Sequence, residues 1–163
     1  MRDIGEAWAC GKLDVEQEHR ATYIMTEVID SLRPGEHDLP PHGKEKRPPV
    51  VLLACPPHEW HELPLRLVRL VFEWRGWRSE YAGANVPWRS TMAAMERVRP
   101  RVVAMSARNG EPFRYRDFER LIVRGRELHS EVVVGGEWAR GGSASDGSFH
   151  RFRTLRGLAK WLE

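Results

Sequence analysis

Cysteine is scarce in this chain. Of 163 residues only Cys10 and Cys55 are cysteine, and neither stands in a Cys-x-x-Cys pair. That argues against a disulfide scaffold and against a cysteine-rich zinc site. Long apolar runs are missing too: the longest, Val50 to Cys55, has six residues, where a membrane helix needs about 20. Residues 1–20 carry Asp3, Glu6 and Asp14 without an apolar core, so no signal peptide and a cytoplasmic location are expected. There is little excess charge of either sign. The net charge is +3, with a pI near 9.1. Phosphate backbones call for clustered cations, whereas the arginines here are scattered; Arg97, Arg99 and Arg101 read as a solvated turn. No glycine-rich run ends in Lys-Ser or Lys-Thr, and no Gly-x-Gly-x-x-Gly follows the first apolar run, so a nucleotide phosphate loop is not expected. Nor is there an acid–base pair or an activated nucleophile, and the chain is expected not to be an enzyme. What it has in excess is tryptophan, seven residues, most of them read as core packing.

Along the chain, residues 3–11 read as the end of a helix closed by Gly11. Asp14 then caps a second helix, with Gln17 completing a capping box. Val15, Thr22, Met25, Ile29 and Leu32 fall near one face of it, and that face, if exposed, would favour self-association. Residues 34–49, PGEHDLPPHGKEKRPP, hold five prolines, two glycines and six charged residues, the composition of a linker. Beyond it strands and helices alternate. Strands are expected at 50–55, 77–82, 101–106, 131–134 and 149–152, with helices over the stripe from Leu63 to Trp74, from Pro87 to about Arg99, over 118–128, and over 155–162 behind Thr154. The order implies an α/β domain over 50–163: a five-stranded parallel sheet with helices on both faces. Ligands of such sheets bind at the carboxyl ends of the strands.

At the first of those ends stands CPPHEWHELP, residues 55–64, which puts His58, Glu59, Trp60, His61 and Glu62 in five consecutive positions. By itself such a cluster reads as a solvated loop. The helical zinc motif sets two histidines at i and i+4; here they are at i and i+3 and lie partly in the loop. A neutral imidazole is nevertheless a good ligand for a transition metal, and a carboxylate two residues earlier can fix its tautomer.

Glu59-x-His61-x-x-Pro64 resembles the Asp-x-His-x-x-Gly signature of cobalamin-binding domains. The order and separations of the later elements agree as well. Forty-one residues separate Pro64 from Ser106-x-Arg108, which stands at the family's Ser-x-Leu, and 26 separate Arg108 from Gly135-Gly136. Glu59, Pro64 and Arg108 are departures from the pattern. The resemblance implies a flavodoxin-like, Rossmann-like fold with His61 below the cobalt, Glu59 as its partner, and Glu62 beside them. It also implies that the displaced nucleotide tail enters the sheet beside Ser106, Gly135 and Gly136. Val86, in GANVPW, faces either the corrin or its own loop.

The N-terminal stretch GEAWACGKLDVEQEH resembles the helical subdomain of CarH/LitR-type light-sensing transcriptional regulators, which use adenosylcobalamin. Residues 1–33 are then a truncated cap over the upper face of the cofactor, with Gly5, Trp8, Gly11, Val15, Glu18 and His19 matching. For Trp8 the other reading is a staple between helices, and Glu18 and His19 read equally as a solvated face. Ala9 stands where those regulators have an upper-face histidine; water, His19 or Cys10 are the alternatives after light removes the upper group. The MerR-type DNA-binding module is not in this sequence. Direct DNA binding is therefore not expected, and action through a second copy or a separate regulatory protein is. The cofactor expected is adenosylcobalamin, with methyl- or hydroxocobalamin as alternatives. The competing readings are a corrinoid carrier for methyl transfer, a haem or other tetrapyrrole sensor using His61, and a partner-binding domain that has lost its cofactor.

Overall fold

Alternation along the central strands decides how the chain is layered. The structure is a computed structural model that describes residues 10, 14–35, 38, 47–108, 115–137 and 149–163. It divides into two compact units, Met1–Arg33 and Pro34–Glu163.

In the first unit, α1 (Val15–Ser31) opens on the reciprocal box expected from Asp14 and Gln17. The Gln17 N–H donates to Asp14 Oδ1 at 2.8 Å, and the Asp14 N–H donates to Gln17 Oε1 at 3.1 Å. Of the stripe expected on one face, Ile29 is buried, Thr22 and Met25 are half-buried, and Val15 and Leu32 are exposed. The helix expected at 3–11, and with it Trp8, Ala9 and Gly11, lies outside the described residues.

The second unit runs β1 (Val50–Ala54), α2 (Leu63–Glu73), β2 (Arg78–Gly83), α3 (Trp88–Val98), β3 (Val102–Ser106), α4 (Tyr115–Glu127), β4 (Glu131–Gly135), β5 (His150–Phe152) and α5 (Leu155–Trp161). The five strands form one parallel sheet in the order β2-β1-β3-β4-β5. Successive strand side chains point to opposite faces, and two cores result. Val51, Leu53, Val102, Ala104 and Val133 pack with Leu65 and Phe72 of α2 and Leu158 of α5. Leu52, Val103, Met105, Val132 and Val134 pack on the other face with Trp88 and Met95 of α3 and Phe118 and Leu121 of α4. Burial on both faces explains why these strands read as unbroken apolar runs.

Several boundaries differ from the expected ones. Cys55 lies past the end of β1, because its N–H reaches Gly83 O at 2.8 Å and its carbonyl accepts from Val86 N at 3.0 Å, turning the chain out of the ladder. β2 is shifted one residue onward, to 78–83. Its pairing with β1 skips from Leu53–Tyr81 to Ala54–Gly83, a bulge at Ala82 that ends in Gly83 at φ +90°. Phe149 precedes β5 and is buried against Phe118, with ring centroids 4.9 Å apart. Among the described tryptophans, Trp88 belongs to the core on the α3–α4 face, Trp77 and Trp161 pack against the core on the opposite face, and Trp60 and Trp74 are exposed.

Candidate functional site

The sheet order places a topological switch between β1 and β3. From β1 the chain crosses to β2 on one side and then returns to β3 on the other, so the loops after β1 and β3 diverge and leave a crevice. Residues 55–62 form the first loop. It opens with a turn in which the Glu59 N–H donates to Pro56 O at 3.1 Å. His58 takes the left-handed backbone conformation, φ 66°. The loop is sewn to the β2–α3 connection by Asn85: Asn85 N–H donates to Glu59 O at 2.8 Å, and Asn85 Oδ1 accepts from His58 N at 2.8 Å.

This turn drives the Glu59 carboxylate inward, to 4% exposure, while leaving His61 more than half exposed. Every contact of the carboxylate is then a donor. Oε1 accepts from the His61 backbone N–H at 2.9 Å and from His61 Nδ1 at 2.7 Å; Oε2 accepts from the Arg108 backbone N–H at the end of β3. Burial pushes the Glu59 pKa up. The Arg108 and His61 hydrogen bonds outweigh it, and the group sits below its ordinary 4.5. A charged carboxylate on Nδ1 fixes the proton there and leaves the lone pair on Nε2. Arg108 agrees with that assignment, since its Nη1 lies 3.1 Å from His61 Nε2 and a guanidinium has only donors to offer.

The second half of the site is a cavity of about 170 Å³ over the carboxyl ends of β3 and β4, walled by Pro64 and Val68 of α2 and Leu158 of α5, with Ser106, Gly135 and Gly136 at the strand ends. A cavity of about 150 Å³ holds a benzene-sized ring, so this one suits the flat end of a larger ligand. Gly136, at φ +97°, packs so closely that a Cβ there would press into the Ala107 carbonyl. Ala107 N–H donates to Gly135 O at 3.1 Å. Ser106, Ala107 and Arg108 therefore join the cavity to the Glu59–His61 pair.

The remaining expected residues make other contacts or lie outside the described residues. Glu62 turns toward α2 and β2, where it pairs with Arg66 at 2.9 Å and accepts from Tyr81 Oη at 3.4 Å. Val86 is half-buried at the strand ends, held by its N–H to Cys55. Glu18 and His19 are on α1 in the other unit; Glu18 accepts from Thr22 Oγ1 at 2.8 Å, and His19 is exposed. Trp8 lies outside the described residues. The sequence gives no separate signal for Asn85 beyond its place in a turn. Among the described residues no three His, Cys, Asp or Glu side chains converge on a metal position.

Comparison with known proteins adds an independent line. Residues 49–143 match the family model described as the B12 binding domain, and residues 1–33 match a second model of the same description. The HTH-type transcriptional repressor CarH of Myxococcus xanthus is 32% identical over 144 residues, 85% of this chain and 44% of CarH. The repressor CarA of the same organism is 36% identical over 99 residues, 58% of this chain and 31% of CarA. The chain thus spans less than half the length of either relative. The monomethylamine corrinoid protein of Methanosarcina barkeri superposes with a TM-score of 0.64 at 14% identity, over 98% of this chain and 76% of that one, a likeness of fold.

Proposed function

This chain belongs to the B12-binding domain family, and on that footing we propose that it is a cobalamin-dependent sensor whose His61 is the lower axial ligand of cobalt. One observation carries the reading: the buried Glu59 carboxylate holds the His61 proton on Nδ1 and presents Nε2 as a lone pair at the switch point of the sheet. The cavity beside Ser106 and Gly135-Gly136 supports it, because its size and apolar wall suit a displaced nucleotide base. The residues present therefore fit the cofactor.

Each part has a task. Glu59 orients the imidazole and, by accepting from Nδ1, turns Nε2 toward the ligand. The loop pinned by Asn85 sets the height of His61 above the strand ends. Gly136 admits the close approach of the Ala107 backbone that closes the cavity. Bound adenosylcobalamin would supply a light-labile cobalt–carbon bond. The repressor relatives favour a regulatory output, through a second copy or a separate regulatory protein, rather than an enzymatic one. Cofactor contacts from Trp8, Glu18 and His19 in a cap formed by residues 1–33 rest on the sequence resemblance alone. A corrinoid carrier is the second reading, favoured by the likeness of fold to the Methanosarcina protein.

The test is an absorption spectrum with adenosylcobalamin in the dark and after green light, for wild type and His61→Ala. A histidine-ligated spectrum that needs His61 and changes irreversibly under light is the expected result. Binding with no lasting light change favours the carrier. A lack of binding refutes the cobalamin reading and makes haem the next ligand to try.

A further inference from the structure

The lone pair offered by His61 already has a taker. Arg108 Nη1 lies 3.1 Å from Nε2, and since a guanidinium keeps its protons and has no acceptor, the contact is an N–H donated into that lone pair. An imidazole nitrogen has one lone pair, so the same atom cannot serve Arg108 and a metal together. The backbone of Arg108 is anchored by its N–H to Glu59, while its side chain is more than half exposed and can swing without disturbing the core. A destination is at hand: Glu137 Oε2, just beyond β4, is 3.9 Å from Arg108 Nε.

We propose that Arg108 is a built-in competitor for the ligating nitrogen, holding His61 Nε2 in the cofactor-free protein and passing to Glu137 when the imidazole takes a cobalt centre. This rests on reading His61 as the axial ligand. Arg108 is a positioning residue in this scheme and lowers affinity by the strength of its contact. For a solvent-exposed contact in which one partner is charged, that is up to about fivefold in an equilibrium constant.

The first readout needs no cofactor. Diethyl pyrocarbonate acylates a free imidazole lone pair, and peptide mass spectrometry follows its rate at each histidine. Arg108→Leu should raise the rate at His61 about two- to fivefold and leave His150, paired with Glu131 at 2.9 Å, unchanged. Arg108→Lys should fall between. Equal rates at His61 in wild type and Arg108→Leu overturn the proposal. The second readout is titration with hydroxocobalamin, in which Arg108→Leu should bind about two- to fivefold tighter than wild type. Equal or weaker binding also overturns it. If the labelling rates differ as expected but neither protein shows His61-dependent binding, the ligand reading of His61 fails and the competitor role falls with it.

Discussion

Replacing Glu59 tests the site at the point where stability and ligation separate. Its carboxylate is buried and accepts three hydrogen bonds, two from backbone N–H groups of His61 and Arg108 and one from His61 Nδ1. Glu59→Ala removes the acceptor and leaves both backbone donors facing a space the side chain had filled. A donor stranded in this way costs about 1–3 kcal/mol. Relief of the burial of one carboxylate offsets part of that, so a net loss of about 2–4 kcal/mol is expected from urea unfolding of the cofactor-free protein. Glu59→Gln keeps the volume and one acceptor, and it should lose less. Affinity should behave otherwise. Loss of the carboxylate partner of a ligating histidine costs about 10–100-fold in metal affinity, and Gln, which is uncharged and turns an N–H toward a donor, should not rescue it. The pH dependence has a definite sign. A carboxylate held below its ordinary value contributes stability that is fully present above about pH 4.5 and is lost as pH falls through the folded value. The stability gap between wild type and Glu59→Gln should therefore shrink as the pH drops below that point. If Glu59→Gln binds cobalamin within twofold of wild type, the carboxylate does not orient the ligand and the argument for His61 is wrong.

Three further outcomes follow from the packing. Gly136→Ala needs a side chain at φ +97° and against the Ala107 carbonyl; a loss of about 2–5 kcal/mol is expected, with weaker cobalamin binding, and a wild-type urea midpoint would refute the close approach. Cys55 is fully buried, and burial, with the charges of Glu59 and Glu62, pushes its thiol up to about 12, whereas Cys10 is exposed. Ellman's reagent at pH 8 should therefore report one thiol per native chain and two in denaturant; two fast thiols in the native protein would count against the loop geometry. Phe72→Ala empties a fully buried position in edge-on contact with Trp77, ring centroids 5.1 Å apart, and should cost about 3–5 kcal/mol, read from the shift of the urea midpoint.

The parts of this site differ in how legible they are from sequence, and the reason is distance along the chain. Glu59 and His61 stand two residues apart at the end of an apolar run, so their pairing needs only a turn, and residue types and spacing suffice to suggest it. The capping box of α1 is legible for the same reason. Arg108 meets His61 across 47 positions, and only the parallel pairing of β1 with β3 brings those strand ends together. From sequence Arg108 is just a departure from a leucine. The wall that α5 lends to the cavity, at Leu158, depends on where the last helix packs, which a stripe of apolar residues cannot specify. The extension of β2 to Gly83 comes with the bulge at Ala82. Its local mark is Gly83, which on its own reads as a simple strand end.

The three residues 106–108 explain why cavity and imidazole belong to one device. Ser106 ends β3 and faces the cavity, Ala107 is locked to β4 by its N–H to Gly135 O and by contact with Gly136, and Arg108 donates its backbone N–H to Glu59. Each link uses a backbone group of residues 106–108, with the buried Glu59 carboxylate as the one side-chain partner, so little freedom remains between them. A ligand part seated in the cavity presses on the same segment that fixes the Glu59 carboxylate and hence the direction of the His61 ring. On the proposed reading, tail entry and axial ligation draw on this one segment and should rise and fall together. A ligand with cobalt but no nucleotide tail should lose more affinity than its missing apolar contacts explain, at about 25 cal/mol per Å². Cobinamide, titrated beside hydroxocobalamin on wild type and Gly136→Ala, measures this. The penalty for lacking the tail should be large in wild type and small in the variant. An equal penalty in both would mean that the cavity and the imidazole act independently.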